Sequence, residues 1–351
     1  MTLLDGRRTG TIDHGGSLER ARALFPKAPQ PFVDLSTGIN PHSYPLFELP
    51  ATALSRLPEP GRARDLAAVA ATAYGAPSAA NVVPAPGTQI LLSRIASLVR
   101  PGRAFVLGPT YQEHARAAAI AGHEVAEVRS FERLFEADLA VVVNPNNPDG
   151  RVVSRADLLD LATRLRAKGG LLVVDEAFMD VGPRAESVAG DVDLGGIVVL
   201  RSFGKFFGLA GIRLGFAIAQ PAIAERLEEE LGPWAVAVPA LEYGIKALSD
   251  TAWHTEMRAT LTKAAHRLDQ AFARAGVIVT GGTSLFRHVD IEDAASLFAA
   301  LGREGILVRS FADRPTQLRC GLPGTEVEWR RLDVALGDWA QDRQAAKGAK
   351  R

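Results

Sequence analysis

Residues 197–219 read IVVLRSFGKFFGLAGIRLGFAIA, and this stretch indicates the fold class. It holds two apolar runs, Ile197–Leu200 and Gly215–Ala219, of the length and composition expected of strands buried on both faces. Between them lies a glycine-rich segment in which Lys205 stands among phenylalanines. Because a desolvated lysine gives up its proton more readily, its amine can attack a carbonyl carbon. The stretch therefore predicts a buried strand that leads into a loop with a reactive lysine.

The alternation of strands and helices continues on the N-terminal side of this stretch. We predict strands at Asn81–Pro84, Ala104–Leu107, Leu139–Val143 and Leu171–Val174. The predicted helices that separate them are Arg62–Tyr74, Thr88–Val99, Tyr111–Ala121 and Ser154–Lys168. Such an order predicts an α/β fold with a mostly parallel sheet flanked by helices.

The chain on either side of this region differs in composition. The first 60 residues are rich in proline and predict an extended arm with one short helix near Ser17–Leu24. After Pro233 the pattern is largely helical to Ala275, and a mixture typical of a smaller α+β domain follows. There we expect strands at Val277–Val279, Ser284–Val289, Ile306–Arg309 and Gln317–Cys320, and helices at Ala294–Glu304 and from Glu326. The predicted domains are an arm, 1–50, that contributes to the small domain and the substrate pocket, a large domain, 51–245, and a small domain, 246–351.

Composition excludes several classes of protein. The 351 residues contain 40 Lys plus Arg and 40 Asp plus Glu, so no net charge favours binding to nucleic acid or an anionic membrane. One cysteine, Cys320, excludes an internal disulfide and a thiolate metal cluster, and we expect no metal site. No apolar run approaches the ~18 residues of a membrane span, and residues 1–16 lack the apolar segment of a secretory signal. We therefore expect a cytoplasmic protein.

Two polar residues near the ends of predicted strands are candidates for ligand binding. Asp175 follows Leu171–Val174, and ligands bind at the carboxyl ends of strands in open α/β sheets. Its carboxylate can pair with a protonated ring nitrogen, although such a residue can also serve as a helix cap or a loop carboxylate. Asn147 lies in a sequence typical of a turn, and its amide could donate a hydrogen bond to a phenolic oxygen on a bound ring.

Further candidates fit a phosphate group and a flat ring. Backbone N–H groups at the start of the helix from Thr88 can bind an anion, a serine and an arginine near Lys205 can hold a phosphate, and a tyrosine can stack on a ring. Each has an ordinary structural alternative, but together with Lys205, Asp175 and Asn147 they describe a site for pyridoxal 5′-phosphate. These residues are Gly87, Thr88, Gln89, Tyr111, Ser202 and Arg213.

From about Asp34 to Arg330 the chain resembles the fold-type I pyridoxal-phosphate enzymes of the aspartate aminotransferase superfamily. The resemblance rests on the order and spacing of the residues above, particularly Ser202-x-x-Lys205 followed by Arg213. It implies a homodimer in which Lys205 and Asp175 are catalytic. Lys205 would bind the cofactor covalently and move protons, while Asp175 would hold the charge of the ring nitrogen. It further implies ring contacts from Asn147 and Tyr111, and phosphate contacts from Thr88, Gln89, Ser202 and Arg213 beside Gly87.

Four stretches are similar to the threonine-phosphate decarboxylases of cobalamin biosynthesis. They are His14–Gly16, Asp34–Pro41, Pro233–Val236 and Gly305–Ser310. This resemblance implies decarboxylation of a small phosphorylated amino acid, L-threonine O-3-phosphate, to (R)-1-amino-2-propanol O-2-phosphate. The substrate-binding residues that it implies are His14, Gly15, Asn147, Arg309 and Arg319.

Two alternatives share the scaffold. A histidinol-phosphate aminotransferase would also bind a phosphorylated amine, but related aminotransferases have tyrosine where this chain has Leu57 and Phe178. A regulator without turnover would carry a DNA-binding domain. Only about 60 proline-rich residues precede the expected cofactor domain, and they show no helix-turn-helix pattern.

Overall fold

The computed structural model describes residues 14–348, with side chains to residue 346. These residues form two compact units. The large unit comprises residues 43–147 and 151–254, and the small unit comprises residues 14–42, 148–150 and 255–348. The domain boundaries expected from the sequence were at residues 50 and 245, and the first 13 residues of the expected arm lie outside the described chain.

The described residues contain thirteen strands, numbered in chain order. They are β1 (Val33–Asp34), β2 (Val82–Ala85), β3 (Arg103–Leu107), β4 (Glu124–Val128), β5 (Leu139–Val143), β6 (Leu171–Asp175), β7 (Ile197–Ser202), β8 (Gly215–Ala219), β9 (Val279–Thr283), β10 (Phe286–Asp290), β11 (Ile306–Leu307), β12 (Arg309–Phe311) and β13 (Arg314–Gly321).

Between residues 14 and 348 there are also eleven α-helices. They are α1 (Leu18–Leu24), α2 (Pro60–Tyr74), α3 (Gln89–Ala96), α4 (Glu113–Ile120), α5 (Arg155–Ala167), α6 (Phe203–Phe206), α7 (Pro221–Leu231), α8 (Val238–Ser249), α9 (Thr251–Arg274), α10 (Ala294–Arg303) and α11 (Glu326–Gly348). None of them is long and apolar enough to cross a membrane.

A seven-stranded sheet forms the centre of the large unit, in the order β2-β8-β7-β6-β5-β3-β4. Strand β8 runs antiparallel to both of its neighbours, and the remaining pairings are parallel. Every residue of β5, β6 and β8 is buried, which confirms that these apolar runs are strands covered on both faces. The mixed, mostly parallel sheet predicted from the sequence is therefore present.

Strand β4 and helix α7 were not predicted. Strand β4 has the sequence EVAEV and lies at an edge of the sheet, where its first glutamate is exposed. Charged residues on an edge strand hinder pairing with another chain, but they also weaken the apolar pattern that identifies a strand. Helix α7 begins at Pro221, in the first turn where proline is tolerated.

The small unit contains a four-stranded antiparallel sheet, in the order β12-β13-β10-β9, and a parallel pair formed by β1 and β11. The strands predicted at 277–279 and 284–289 are displaced, since β9 includes Gly281 and Gly282, which the sequence analysis excluded. A Cβ atom on Gly281 would collide with the carbonyl oxygen of Asp149. These glycines pair with β10, and position 281 needs glycine because residues 148–150 pack closely against it; an isolated pattern cannot reveal that contact.

Cys320 lies on β13 and is buried. It faces away from Arg319, because successive side chains of a strand point to opposite sides of the sheet. Burial raises the pKa of its thiol to about 12. The thiol is therefore neutral at physiological pH.

A buried ion cluster lies at the carboxyl ends of β6 and β7. The Arg201 guanidinium donates from Nη1 to Glu176 Oε2 at 2.9 Å and from Nη2 to Asp180 Oδ1 at 2.6 Å, and it lies 4.3 Å from the centre of the Tyr74 ring. All three charged side chains are buried. Burial raises the pKa of Glu176, while the charge of Arg201 opposes this shift. The cluster joins the ends of β6 and β7, because the buried positive charge of Arg201 is balanced by the buried carboxylates of Glu176 and Asp180.

We expect replacement of Arg201 by methionine to destabilise the chain strongly. It would leave two buried carboxylates without their counter-charge, which costs about 3–5 kcal/mol. The free energy of unfolding, measured by urea denaturation at pH 7, should fall by this amount. The matched control is Arg164→Met, which removes an exposed pair with Asp160 and should cost about 0.3–0.5 kcal/mol. Equal losses in the two variants would contradict the role of the cluster.

Candidate functional site

Asp175 is the last residue of β6 and is 6% exposed. Its Oδ2 lies 2.7 Å from Nε2 of His114, which is itself 4% exposed on α4. Its Oδ1 accepts a hydrogen bond from the backbone N–H of Ala177 at 3.0 Å. The carboxylate is thus fixed in orientation at the carboxyl end of the sheet, where it can pair with a cationic ring nitrogen.

The sequence analysis did not identify His114. The only signal available is its place on the buried face of α4, one turn before Ala117 and Ala118. A histidine at such a position is more often a packing residue, so its contact with Asp175 needs the structure. The contact makes His114 a positioning residue for the carboxylate.

Lys205 lies in α6, the short helix that follows β7. Phe203 and Phe206 of this helix are fully buried, while Lys205 is half-buried. Its Nζ is 5.8 Å from the centre of the Phe178 ring, and Phe178 follows β6. Since β6 and β7 are parallel neighbours, the structure brings the segments that carry Asp175 and Lys205 to the same edge of the sheet.

A second group of predicted residues surrounds Gly87, whose φ is +82°. A Cβ atom on Gly87 would lie 2.6 Å from Nη2 of Arg213. A Cβ atom on Gly215 would lie 2.7 Å from the backbone nitrogen of Thr88, and Gly215 is the register partner of Ser202. Glycine at these two positions lets a guanidinium, a hydroxyl residue and the start of α3 approach one another. This combination fits a phosphate group.

Tyr111 and Gln89 are linked to the carboxylate site through α4. The Tyr111 hydroxyl donates to Gln89 Oε1 at 3.1 Å, and Gln89 Nε2 donates to Glu113 Oε2 at 2.9 Å. The Tyr111 ring meets the His114 ring edge to face, with centres 5.9 Å apart. Burial, and then the negative charges of Glu113 and Asp175, raise the pKa of Tyr111 to about 12. Tyr111 is therefore a neutral aromatic residue beside the carboxylate.

Asn147 follows a loop that two buried asparagines hold in place. Asn144 exchanges hydrogen bonds with the backbone of Val153, at 2.9 and 3.1 Å. Asn146 donates to the Pro109 carbonyl at 3.0 Å and accepts from the Thr110 hydroxyl at 2.6 Å. Asn147 itself is half-buried. In this stretch Asn144 and Asn146 therefore hold the loop in place, and Asn147 remains a candidate ligand-binding residue.

In the small unit, Arg309 of β12 and Arg319 of β13 are directly opposite each other across the strand pair. Arg319 is buried, donates from Nη2 to the Ser36 carbonyl at 2.7 Å, and lies 5.3 Å from the centre of the Phe286 ring. Burial, and then the charge of Arg309, lower the pKa of Arg319 to about 10. Because like charges opposite each other destabilise a sheet, this pair is suited to a nearby anion, with which both guanidinium groups could form hydrogen bonds.

Residues 14–16 lie beside the same arginine. The Gly16 N–H donates to Ser36 Oγ at 2.7 Å, and Ser36 Oγ donates to Asp34 Oδ1 at 2.6 Å. A Cβ atom on Gly15 would lie 2.5 Å from the Ser36 carbonyl oxygen, the atom that Arg319 contacts. His14, the first described residue, is exposed. The structure therefore brings residues 14–16 and Arg319 together around Ser36.

The predicted residues are divided between the two units. The large unit holds the expected cofactor contacts, Gly87, Thr88, Gln89, Tyr111, Asn147, Asp175, Ser202, Lys205 and Arg213. The small unit holds the expected substrate contacts other than Asn147, namely His14, Gly15, Arg309 and Arg319. Across residues 14–348, no cluster of three or more His, Cys, Asp or Glu residues could hold a metal ion.

Comparison with known proteins identifies relatives of the whole chain. The model of the family described as aminotransferase class I and II matches residues 64–347. A threonine-phosphate decarboxylase of Pseudomonas aeruginosa is 42% identical over 328 residues, which are 93% of this chain and 97% of the relative. A histidinol-phosphate aminotransferase of Cronobacter sakazakii is 28% identical over 339 residues, covering 86% of this chain and 89% of the relative.

Among solved structures, histidinol-phosphate aminotransferase from Sinorhizobium meliloti in complex with pyridoxal-5′-phosphate superposes with a TM-score of 0.79. The match covers 96% of this chain and 97% of that one, at 20% sequence identity. The similarity shows a shared fold.

We expect that replacing Arg309 by glutamine will weaken anion binding without destabilising the chain. The substitution removes a like-charge contact and also the contact of the Arg309 guanidinium with the Phe311 ring, so the free energy of unfolding should change by less than about 1 kcal/mol in either direction. Urea denaturation in a buffer without phosphate measures the stability, and calorimetric titration with inorganic phosphate measures the binding.

Arg331→Gln is the control for this prediction. The Arg331 guanidinium donates to three backbone carbonyls, of Pro29, Pro31 and Glu304, in the same unit. Its replacement should lower stability and leave phosphate binding unchanged. A large loss of stability in the Arg309 variant would show that Arg309 is structural instead.

Proposed function

We propose a function from the premise that the chain belongs to the aminotransferase class I and II family, whose model matches most of its length. The chain catalyses decarboxylation of L-threonine O-3-phosphate to (R)-1-amino-2-propanol O-2-phosphate, a step of cobalamin biosynthesis. The observation that carries this proposal is the 42% identity with the threonine-phosphate decarboxylase of Pseudomonas aeruginosa. That identity extends over nearly the full length of both proteins, including the stretches that hold Arg309 and Arg319.

The reaction uses pyridoxal 5′-phosphate, which when bound withdraws electrons from the bonds at the substrate Cα. The residues of the large unit fit this group. Arg213, Ser202 and the backbone at Gly87–Gln89 bind its phosphate, for which the two glycines described above leave room. Asp175 keeps the proton on the ring nitrogen, and His114 holds that carboxylate in place.

The other large-unit residues contact the ring and the reacting atoms. Asn147 donates a hydrogen bond to the ring oxygen, and Tyr111 packs against the ring. Lys205 would hold the cofactor through its side-chain amine. The same amine, or a water, would supply the proton that takes the place of CO2 at the substrate Cα.

The small-unit residues determine which bond at the substrate Cα breaks. The substrate carries a carboxylate and a phosphate ester, and two arginines with a histidine suit such an anion. Arg309, Arg319 and His14, next to Gly15, would hold these groups. Their positions would thereby determine that the bond from Cα to the carboxylate is the one that the cofactor activates.

We also propose a cytoplasmic homodimer in which each chain is divided into an arm, 1–50, a large domain, 51–245, and a small domain, 246–351. Exposed Leu46, Leu54 and Leu57 in one short segment support an interface between subunits. A single, buried, free cysteine is the ordinary state in a reducing compartment. The position of residues 14–42 in the small unit supports an arm that contributes to the small domain.

A histidinol-phosphate aminotransferase is the second candidate, since such enzymes have the same fold. The lower identity of the Cronobacter sakazakii relative disfavours it. Phe178 also disfavours it, because its ring lies 5.8 Å from the Lys205 amine and offers no hydroxyl group there.

The direct test is a product assay on protein loaded with pyridoxal 5′-phosphate. With L-threonine O-3-phosphate we expect CO2 release in the absence of any keto acid, matched by aminopropanol phosphate. Absence of CO2, together with glutamate formation from histidinol phosphate and 2-oxoglutarate, would assign the chain to the aminotransferases.

Replacement of Lys205 by alanine should abolish turnover, because it removes the amine that holds the cofactor. Mass spectrometry after borohydride reduction should find the cofactor on the peptide with Lys205 in the wild type and on no peptide of the variant. The control, Lys168→Ala, changes an exposed lysine that donates to the Phe135 carbonyl. Unimpaired turnover in the Lys205 variant would overturn the assignment.

A further inference from the structure

One face of the small-unit sheet carries more positive charge than the two arginines described above. The register places His288 of β10 opposite Arg319, and Arg319 opposite Arg309, so these three side chains share one side of the sheet. Arg314 lies opposite Phe311, beyond a register shift that follows Ser310, and its charge acts on His288. We call the side chains of Arg309, Arg314, Arg319 and His288 the arginine face.

Arg314 shares an aromatic ring with Arg309. The Cζ atom of Arg314 is 4.4 Å from the centre of the Phe311 ring, and that of Arg309 is 5.4 Å from the same centre. Both guanidinium groups therefore contact one aromatic ring. Stacking on a ring is favourable for a cationic group and offsets part of the repulsion between two of them.

The guanidinium of Arg314 is not saturated by the protein. Its side chain is 11% exposed, yet Nε and Nη1 are buried and have no hydrogen-bond partner in the described chain. The carboxylate of Asp313 lies 3.4 Å from Nε, outside hydrogen-bonding geometry, and Asp313 is half exposed. Buried N–H groups without partners are rare in native proteins and require a specific reason.

His288 and Gln317 lie next to Arg314. His288 is 5% exposed, and its Nδ1 is 2.9 Å from Thr280 Oγ1. Gln317 donates to Asp290 at 3.0 Å and also forms a hydrogen bond with His288. Burial lowers the pKa of His288, while the hydrogen bond with Gln317 and the charges of Asp149 and Asp290 oppose the shift and the charge of Arg314 reinforces it. The charge of Arg314 therefore acts on the buried histidine that lies opposite Arg319.

We propose that Arg314 binds the phosphate group of the substrate and determines the preference for a phosphorylated over an unphosphorylated amino acid. A phosphate dianion accepts several hydrogen bonds and suits two guanidinium groups better than one. Arg309 and Arg314 supply the two on one ring, and Arg319 remains for the carboxylate. This inference rests on the function proposed above.

The variant Arg314→Gln tests the role in loaded enzyme. Removing a charge-assisted contact should raise KM for L-threonine O-3-phosphate about tenfold or more, with kcat changed less than about twofold. The inhibition constant of L-threonine, which has no phosphate, should stay the same. Arg314→Lys, which keeps the charge but not the fork of donors, should lie between the wild type and Arg314→Gln.

The matched control is Arg287→Gln. Arg287 is on the same sheet with a similar exposure of 14%, but it points to the opposite face and is paired with Asp269 and the Thr283 carbonyl. Its replacement should lower the melting temperature and leave the preference for the phosphorylated substrate unchanged. Arg314→Gln should leave the melting temperature nearly unchanged, because Nε and Nη1 of Arg314 have no hydrogen-bond partner in the described chain. It should reduce the preference for the phosphorylated substrate.

Binding of inorganic phosphate separates this inference from the proposed function. The loaded protein is used, so that the cofactor fills its own phosphate site. If the wild type releases no CO2 from L-threonine O-3-phosphate but binds inorganic phosphate, and Arg314→Gln binds it at least tenfold more weakly, the reaction is wrong and the phosphate role stands. If Arg314→Gln matches the wild type in phosphate affinity and in KM, the inference is overturned. If Arg314→Gln does not fold, Arg314→Lys takes its place. Wild-type KM and phosphate affinity in Arg314→Lys would overturn the inference, and a weaker affinity for inorganic phosphate in Arg314→Lys would support it.

Discussion

The parallel pairing of β6 and β7 is the constraint on which the rest of the large unit depends. It places the segments with Asp175 and Lys205 at one edge of a sheet whose central strands are wholly buried. Charged side chains meet at this edge away from water, among them the buried cluster of Arg201, Glu176 and Asp180. Because these charges balance one another at the strand ends, the ends are held in place without a ligand. Side chains at this edge of the sheet then need little reorganisation when a ligand binds.

The small unit follows a different principle. Its sheet places arginines opposite each other and leaves buried donors without protein partners, features that reduce stability in the absence of an anion. Opposite faces of the same strands contrast sharply, since Arg287 is fully paired and Cys320 packs into the core. A sheet that satisfies the rules of packing on one side and breaks them on the other is typical of a binding surface supported by a stable core.

The sequence was informative where local pattern alone determines structure. The runs that became β5, β6 and β8 are apolar throughout, and the spacing from Ser202 to Arg213 is set within one short segment, so both could be recognised. Features that depend on contacts between distant segments could not. The need for glycine at position 281 follows from Asp149, more than a hundred residues earlier, and the contact of His114 with Asp175 joins a helix to a strand. The contact of Arg314 with the Phe311 ring could not be predicted either, because it depends on a register shift between Ser310 and Phe311.

The buried thiol of Cys320 can report how often the small-unit sheet opens. It is the sole cysteine in the sequence, it lies next to Arg319 along β13, and its neutral, shielded sulfur is unreactive in the folded chain. An alkylating reagent can therefore modify the protein only when the β13 region opens. The rate of modification then reports the frequency of that opening, and an anion held by the adjacent arginine should slow it. A single added mass would record, without any introduced label, how firmly the small-unit sheet is held closed.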